Sequence, residues 1–184
     1  RFKRVPFGLA SDAAMFQRLM FGLFKGIKNV MFFQDDILIM GRNKMEHDAK
    51  LEQVMSILQE KGLTAEGSKC KFALNRINYL GHEISEQGIK PKPELTDAIR
   101  KSPTPKNKDE IRSFLGLAEF YSKFVKHFSS KTFAIRQLMK KDATFNWSKD
   151  SQIEFEEIKH EICEAIPLQG FDANLTSIIT TDAS

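Results

Sequence analysis

The chain has 184 residues, 41% hydrophobic and 28% charged, with a formal net charge of +4. That composition suits a globular protein of one or two domains with a sizeable core, and no run approaches the roughly 18–20 apolar residues a bilayer-crossing helix needs. Cys70 and Cys163 lie far apart without metal-ligand neighbours, which argues against a disulfide framework or zinc site and fits reduced thiols in an intracellular setting.

In chain order, Arg1 to Arg4 is not followed by a sustained apolar segment, so no signal peptide is expected. Position 1 is not Met, and the chain reads as an internal fragment. Val5-Pro6-Phe7-Gly8-Leu9 reads as extended, with close backbone approach at Gly8. Ser11 or Asp12 can cap a following helix, whose stripe of Met15, Phe16, Leu19, Met20, Leu23 and Phe24 is expected to be core.

Val30 to Met40 places Gln34-Asp35-Asp36 between two short apolar runs, predicting a strand, a tight turn and a returning strand. Two readings of the acidic pair stand side by side. Asp is a common turn residue because its side chain bonds back to the local backbone. Two carboxylates at a rigid turn are also what a pair of Mg²⁺ ions about 3.5–4 Å apart requires in a polymerase or nuclease.

Lys44 to Lys61 predicts an amphipathic helix with Leu51, Val54, Met55 and Leu58 inward and Gly62 as its stop. Glu46-His47 falls on its polar face and reads as surface. Cys70-Lys71-Phe72 and Ile77 to Ser85 read as the strands of a second hairpin. Pro91, Pro93, Pro103 and Pro105 mark a change of regime and a domain boundary.

Short helices follow. Asp109 to His127 carries too many apolar residues for one stripe, so part of it must pack on two sides, and Gly116 suggests close helix packing. Phe145-Asn146-Trp147-Ser148 leads into a helix from about Lys149 to Ala165, buried through Phe155, Ile158 and Ile162. Leu175 to Thr180 reads as a strand ending near Asp182. From Arg100 to Lys141 basic residues far outnumber the acids Asp109, Glu110 and Glu119, a pattern of either a solvated helical surface or one that follows phosphates.

Several stretches in order carry a resemblance. Phe33-Gln34-Asp35-Asp36 resembles the aromatic-X-Asp-Asp box of reverse transcriptases. Pro6-Phe7-Gly8-Leu9 with Met15-Phe16-Gln17-Arg18-Leu19-Met20 resembles the segment preceding that box in Ty3/gypsy-type retroelements with long terminal repeats. Tyr79-Leu80-Gly81-His82-Glu83-Ile84-Ser85, Phe114-Leu115-Gly116-Leu117 and Thr181-Asp182-Ala183-Ser184 extend the match over essentially the whole chain.

The resemblance implies an α+β fold. It would be part of a right-hand polymerase, with a palm hairpin sheet and packed helices over 1–90, a helical thumb over 91–145 and a connection over 146–173. The first strand of a ribonuclease H-like α/β domain would occupy 174–184. It implies templated nucleotidyl transfer with two Mg²⁺ ions, Mn²⁺ being the alternative.

Asp35 would be the main metal ligand and Asp36 its support, while Asp182 would be the first ligand of the nuclease site. Phe7, Gly8, Phe33 and Gln34 would border the incoming deoxynucleotide. Gly81 and His82 would lie on the primer strand, His82 being equally a structural residue. Lys106, Lys108, Arg112 and Lys123 would follow the duplex.

The implied partners are an RNA or DNA template with primer, deoxynucleotides, the rest of a Pol polyprotein and a second copy in a homodimer, with no membrane. The implied location is a cytoplasmic particle or the nucleus. A third catalytic carboxylate would precede Arg1, so the chain alone is expected to be inactive.

Some positions depart from the family pattern. Phe33 stands where Tyr is usual, Gln34 where an aliphatic residue is usual, Asp12-Ala13-Ala14-Met15 where Asn-Ala-Pro-Ala-Thr is usual, Ser122 where Arg is common and Ala134 where Pro is common. These leave a second reading, a non-catalytic decayed or domesticated remnant that binds nucleic acid or acts as a scaffold.

Overall fold

The protein is described from a computed structural model, which covers Gly8, Leu9 and residues 11–170. Phe7, the expected strand at 175–180 and Asp182 lie outside the described residues. The chain divides into two compact units, Arg1–Leu74 and Asn75–Ser184.

In the first unit, helix α1 (Asp12–Phe24) leads into the antiparallel pair β1 (Val30–Phe33) and β2 (Asp36–Ile39), followed by helix α2 (Lys44–Glu60). Side chains alternate across a strand. Val30, Phe32, Ile37 and Ile39 therefore share one face, and all four belong to the core with Met20, Phe24, Val54 and Leu58. Phe32 packs against Phe24 and Phe21, with ring centroids 5.9 and 6.3 Å apart.

Asn43 caps α2 by accepting the Glu46 amide at 2.9 Å, and Glu46 reaches back to accept the Arg42 amide at 3.0 Å, a reciprocal N-terminal box. Lys50 pairs with the same carboxylate; that contact first, then the Arg42 amide, holds the Glu46 carboxyl at about 2. Glu46 is thus a structural cap rather than a plain surface acid.

The expected core stripe of α1 is only partly core. Met20 and Phe24 are buried, whereas Met15, Phe16 and Leu19 are exposed, as is Met55 of α2. The sheet beside α1 has two strands, and a sheet that narrow covers only part of an apolar helix face.

The second unit opens with a three-stranded antiparallel meander, β3 (Arg76–Tyr79), β4 (His82–Ser85) and β5 (Gly88–Pro91). This corrects the hairpin expected between Cys70–Phe72 and Ile77–Ser85. Residues 77–85 form both strands by themselves, while Cys70 follows a 3-10 turn at Gly67–Lys69. The reason is the pair Leu80-Gly81, whose φ angles of 46° and 78° make a two-residue turn with both central residues left-handed. β5 escaped the sequence reading because it ends at Pro91, a residue a sheet tolerates at a strand end. Its other edge is covered by Leu168, which exchanges two backbone hydrogen bonds of 2.9 Å with Ile89.

Helices α3 (Pro93–Arg100), α4 (Lys108–Phe120), α5 (Phe128–Lys131), α6 (Phe133–Gln137) and α7 (Lys149–Cys163) complete the unit. Pro93 sits at the start of α3, where a missing N–H costs nothing. Asn107 caps α4 through the Glu110 amide at 2.9 Å, and Ser148 caps α7 through the Ser151 amide at 3.1 Å. The core is Ile99, Ile111, Phe114, Leu115, Tyr121, Ile135, Phe155, Ile158 and Ile162 with their neighbours. Phe155, Ile158 and Ile162 line α7 as their spacing predicts.

The apolar excess after Asp109 has a simple cause. α4 ends at Phe120, and the chain turns through a 3-10 segment at Ser122–Phe124, so Tyr121 and Val125 enter the core from a differently directed backbone. Glu154 on α7 accepts the amides of Ala134 and Ile135 at 2.9 and 3.0 Å, which caps α6 from a separate helix.

Gly116 is not a packing glycine, for a Cβ there would meet nothing within 4 Å. Gly116→Ala should therefore stabilise the second unit by about 1 kcal/mol through helix propensity. Phe155→Ala should cost about 3–5 kcal/mol. Urea unfolding of the two variants checks both signs; destabilisation by Gly116→Ala would restore the packing role.

Candidate functional site

The β1–β2 turn consists of Gln34 and Asp35, with Asp36 already on β2 opposite Phe33. The first unit thus brings four expected site residues together: Phe33, Gln34, Asp35 and Asp36. Phe33 and Asp36 project from the face opposite the Val30–Phe32–Ile37–Ile39 core, and Phe33 is 48% exposed. Both carboxylates are exposed.

Gln34 adopts φ 51°. A non-glycine residue held there costs about 1–3 kcal/mol, and such outliers cluster where surrounding structure fixes a functional loop. Gln17 of α1 supplies the fixing contact. Its carboxamide oxygen accepts the Gln34 amide at 2.6 Å. Sequence reasoning used Gln17 only as part of a motif. Its signal was there to find: Gln17 lies three and seven residues before the buried Met20 and Phe24, a polar residue in register with the buried stripe.

As metal ligands, Asp35 and Asp36 offer hard, water-accessible oxygen donors, which fit Mg²⁺ in kind. They fit in number only as part of a larger set, because among the described residues no group of three or more His, Cys, Asp or Glu could hold an ion. Gly8 has φ 93° and is exposed, with nothing within 4 Å of where a Cβ would stand, so the backbone there is open to close approach.

In the second unit, the β3–β4 turn brings Gly81 and His82 against the end of α4. The His82 ring lies among Phe120, Tyr121 and Phe124, with centroids 5.1, 5.8 and 6.0 Å away. Its Nδ1 lies 2.8 Å from the Leu80 carbonyl oxygen, and its Nε2 is buried without a partner. Burial pushes the imidazole pKa down, the Leu80 carbonyl pulls it partly back, and the Lys123 charge lowers it further. Lys123 itself stands over the Phe124 ring at 5.3 Å.

The other basic candidates are elsewhere. Lys106 precedes α4, and Lys108 and Arg112 lie on its first turns, with the 13-residue helix spanning about 20 Å between Lys108 and Phe120. Lys108 donates to the Lys140 carbonyl at 2.8 Å, and Arg112 pairs with Asp109. The basic candidates therefore form two groups, Lys123 beside the turn and Lys106, Lys108 and Arg112 at the far end of α4.

Comparison with known proteins gives this arrangement its class. Residues 1–84 match the family described as reverse transcriptase (RNA-dependent DNA polymerase). The whole chain is similar to retrovirus-related Pol polyproteins of Drosophila melanogaster. Identity is 32% with transposon 412 over 100% of this chain and 15% of the relative, and 34% with transposon 297 over 100% and 18%. It is 30% identical to the Tf2-3 transposon polyprotein of Schizosaccharomyces pombe over 98% of this chain and 14% of the relative. The chain thus spans less than a fifth of these curated relatives.

Among solved structures it is similar to a foamy viral protease-reverse transcriptase in complex with dsDNA, with TM-score 0.82, 27% identity and coverage of 93% of this chain and 36% of the other. The same viral protein in complex with RNA/DNA hybrid gives TM-score 0.80, 27% identity and coverage of 91% and 23%. By these matches the chain is similar to a reverse-transcriptase segment of the kind carried in retroelement Pol polyproteins, and it has a mixed helix and sheet fold. No helix among the described residues is long and apolar enough to cross a membrane.

Two measurements check this geometry. Gln34→Gly should raise the stability of the first unit by about 1 kcal/mol or more, because glycine adopts φ 51° without strain; a loss in denaturant midpoint would show that Gln34 is not strained. By NMR titration His82 should have a midpoint below the ordinary value of about 6.5. Since the folded form binds its proton less readily than the unfolded form, its contribution to stability is present above pH ~6.5 and is lost as pH falls towards the folded midpoint. A midpoint above 6.5 would contradict the burial.

Proposed function

We propose that this segment is the C-terminal palm (1–90), thumb (91–145), connection (146–173) and ribonuclease H start (174–184) of a Ty3/gypsy-type reverse transcriptase, which makes DNA on RNA and DNA templates. The observation that carries the reading is the exposed Asp35–Asp36 pair at a braced hairpin turn, in a chain similar from end to end to retroelement Pol polyproteins. In the reaction the primer 3′ hydroxyl oxygen bonds to the α-phosphorus of a deoxynucleotide. The bond from that phosphorus to the bridging oxygen breaks, pyrophosphate leaves with the electron pair, and the hydroxyl proton passes to water.

Asp35 is the principal Mg²⁺ ligand and Asp36 its support. Mg²⁺, when bound, supplies the positive charge that stabilises the attacking oxygen and the leaving oxygens. Gln17 holds the turn so that the carboxylates need not reorganise during the reaction. The half-exposed Phe33 ring offers a flat apolar surface to the primer end or to the deoxynucleotide. Gly8 and Phe7 border the same nucleotide, where the absence of a Cβ at Gly8 lets the backbone come close. Asp182 begins the separate nuclease metal site.

The β3–β4 turn lies against the primer strand through Leu80, Gly81 and His82. Because the His82 ring is enclosed by three aromatic rings, the backbone of this turn and the Lys123 ammonium make the contact rather than the imidazole. Lys106, Lys108 and Arg112 meet phosphates farther along the duplex. The homologous polyproteins are far longer, and two carboxylates alone hold Mg²⁺ poorly, so catalysis belongs to the full-length protein.

Asp35→Asn in the full-length polyprotein should abolish Mg²⁺-dependent primer extension while leaving template–primer affinity within about twofold, because a neutral carboxamide keeps the shape and loses the charge. Extension at the parent rate would sink the assignment of Asp35 as the metal ligand, whereas a parent protein that extends no primer would leave the remnant reading in its place. The 184-residue chain by itself should extend no primer.

A further inference from the structure

Tyr121 is completely buried, and its hydroxyl crosses from the end of α4 to donate to the Gly81 carbonyl at 2.8 Å. That carbonyl also accepts the Lys92 amide at 3.1 Å, so the turn is bound at one atom to both α4 and the start of α3. The residue before it, Leu80, is held at φ 46°, a conformation a branched apolar side chain seldom adopts. Gly81 is constrained as well. Its φ of 78° favours glycine, and a Cβ there would stand 2.9 Å from the Phe120 ring, which would have to shift. The His82 ring then packs on Phe120, Tyr121 and Phe124.

A two-residue turn of this type would favour Asn or Gly at its first position. Leu80 has no side-chain polar atom with which to stabilise itself there. The contacts that over-determine the turn come from outside it, and the Tyr121 hydroxyl is the polar one. Tyrosine at this position is otherwise an expensive choice, because burying its hydroxyl without a partner is unfavourable and Phe would fill the same space.

We propose that Tyr121 is a positioning residue for the template–primer: through the Gly81 carbonyl its hydroxyl holds the Leu80–His82 turn in the conformation that receives the primer strand. The inference rests on the reading above that this turn lies on the primer. It assigns to a buried tyrosine, far in sequence from the acidic pair, a share in where the primer end is held. Losing the hydroxyl should loosen the grip on the duplex without altering the nucleotide pocket.

The test uses the full-length polyprotein. First, Leu80→p-benzoylphenylalanine, at a position 41% exposed, is photolysed on a template–primer with a labelled primer strand. Crosslinking to the primer is expected. Second, Tyr121→Phe is made with and without that probe. The expected result is a loss of template–primer affinity of about 2- to 12-fold, the worth of one neutral hydrogen bond, with a lower crosslink yield and an unchanged KM for deoxynucleotide. Tyr121→p-aminophenylalanine, which keeps the ring and a donor, should restore affinity.

If the parent crosslinks to the primer but Tyr121→Phe changes only the melting temperature, the hydroxyl is merely structural and the inference is overturned. It is equally overturned if the amino variant fails to restore affinity that the Phe variant lost. If the parent gives no primer crosslink, the placement of the turn on the primer has failed, and the inference falls with it. Should the Phe variant not fold, the amino variant alone decides: duplex affinity and crosslink yield within about twofold of the parent support the inference, and a larger loss in a folded protein overturns it.

Discussion

The hydrogen bond from the Gln34 amide to the Gln17 carboxamide is the contact on which the acidic turn depends. A two-residue turn between four-residue strands has few contacts of its own, and Gln34 is left-handed without being glycine. Helix α1 supplies what the turn lacks, and α1 is in turn fixed by Met20 and Phe24 in the core beneath the sheet. The position of two exposed carboxylates thus traces back through one side-chain hydrogen bond to a buried apolar cluster. Exposure and rigidity, normally opposed, are reconciled in this way: the carboxylates meet water while the backbone beneath them does not move freely.

The second unit solves the same physical problem at its own hairpin. Leu80 is left-handed, and the brace is again a hydrogen bond from a helical segment, here from the Tyr121 hydroxyl to the Gly81 carbonyl. The two braces differ in chemistry. Gln17 accepts from an amide and sits half-buried, so water can compete for it. Tyr121 donates to a carbonyl from a fully buried position, where competition from water is weak and the bond accordingly matters more. Helix α7 makes the buried position possible, because Phe155, Ile158 and Ile162 complete the core in which Tyr121 sits.

Short helices in this unit stand because polar side chains finish their ends. Asn107 and Ser148 are local caps of the usual kind, readable from sequence. Glu154 is different. It terminates α6 from α7, and nothing in the spacing of 133–137 announces an acid about twenty residues downstream as its partner. A five-residue helix cannot persist on propensity, so α6 exists through its contacts with α7 rather than by its own sequence.

Local chemistry was enough to place the β1–β2 hairpin, α2 with its Gly62 stop, the buried face of α7 and the acidic pair, because each depends on alternation, helical spacing or a turn residue within a few positions. The order of several short motifs likewise pointed to the reverse transcriptase class without any knowledge of the fold. What periodicity could not supply was what lies opposite each face. It named Met15, Phe16 and Leu19 as core, though the narrow sheet leaves them exposed, and it took Gly116 for a packing glycine, though the space around it is open. It also put one hairpin where a three-stranded meander stands, since Leu at the first turn position contradicts turn preference and the Tyr121 hydroxyl that binds the neighbouring Gly81 carbonyl lies far along the chain. Sequence alone determined which residues carry charge and which segments alternate. Tertiary structure decided which turns are strained and what braces them, because a hydrogen bond between residues 17 and 34, or 81 and 121, exists only once the intervening chain has folded back.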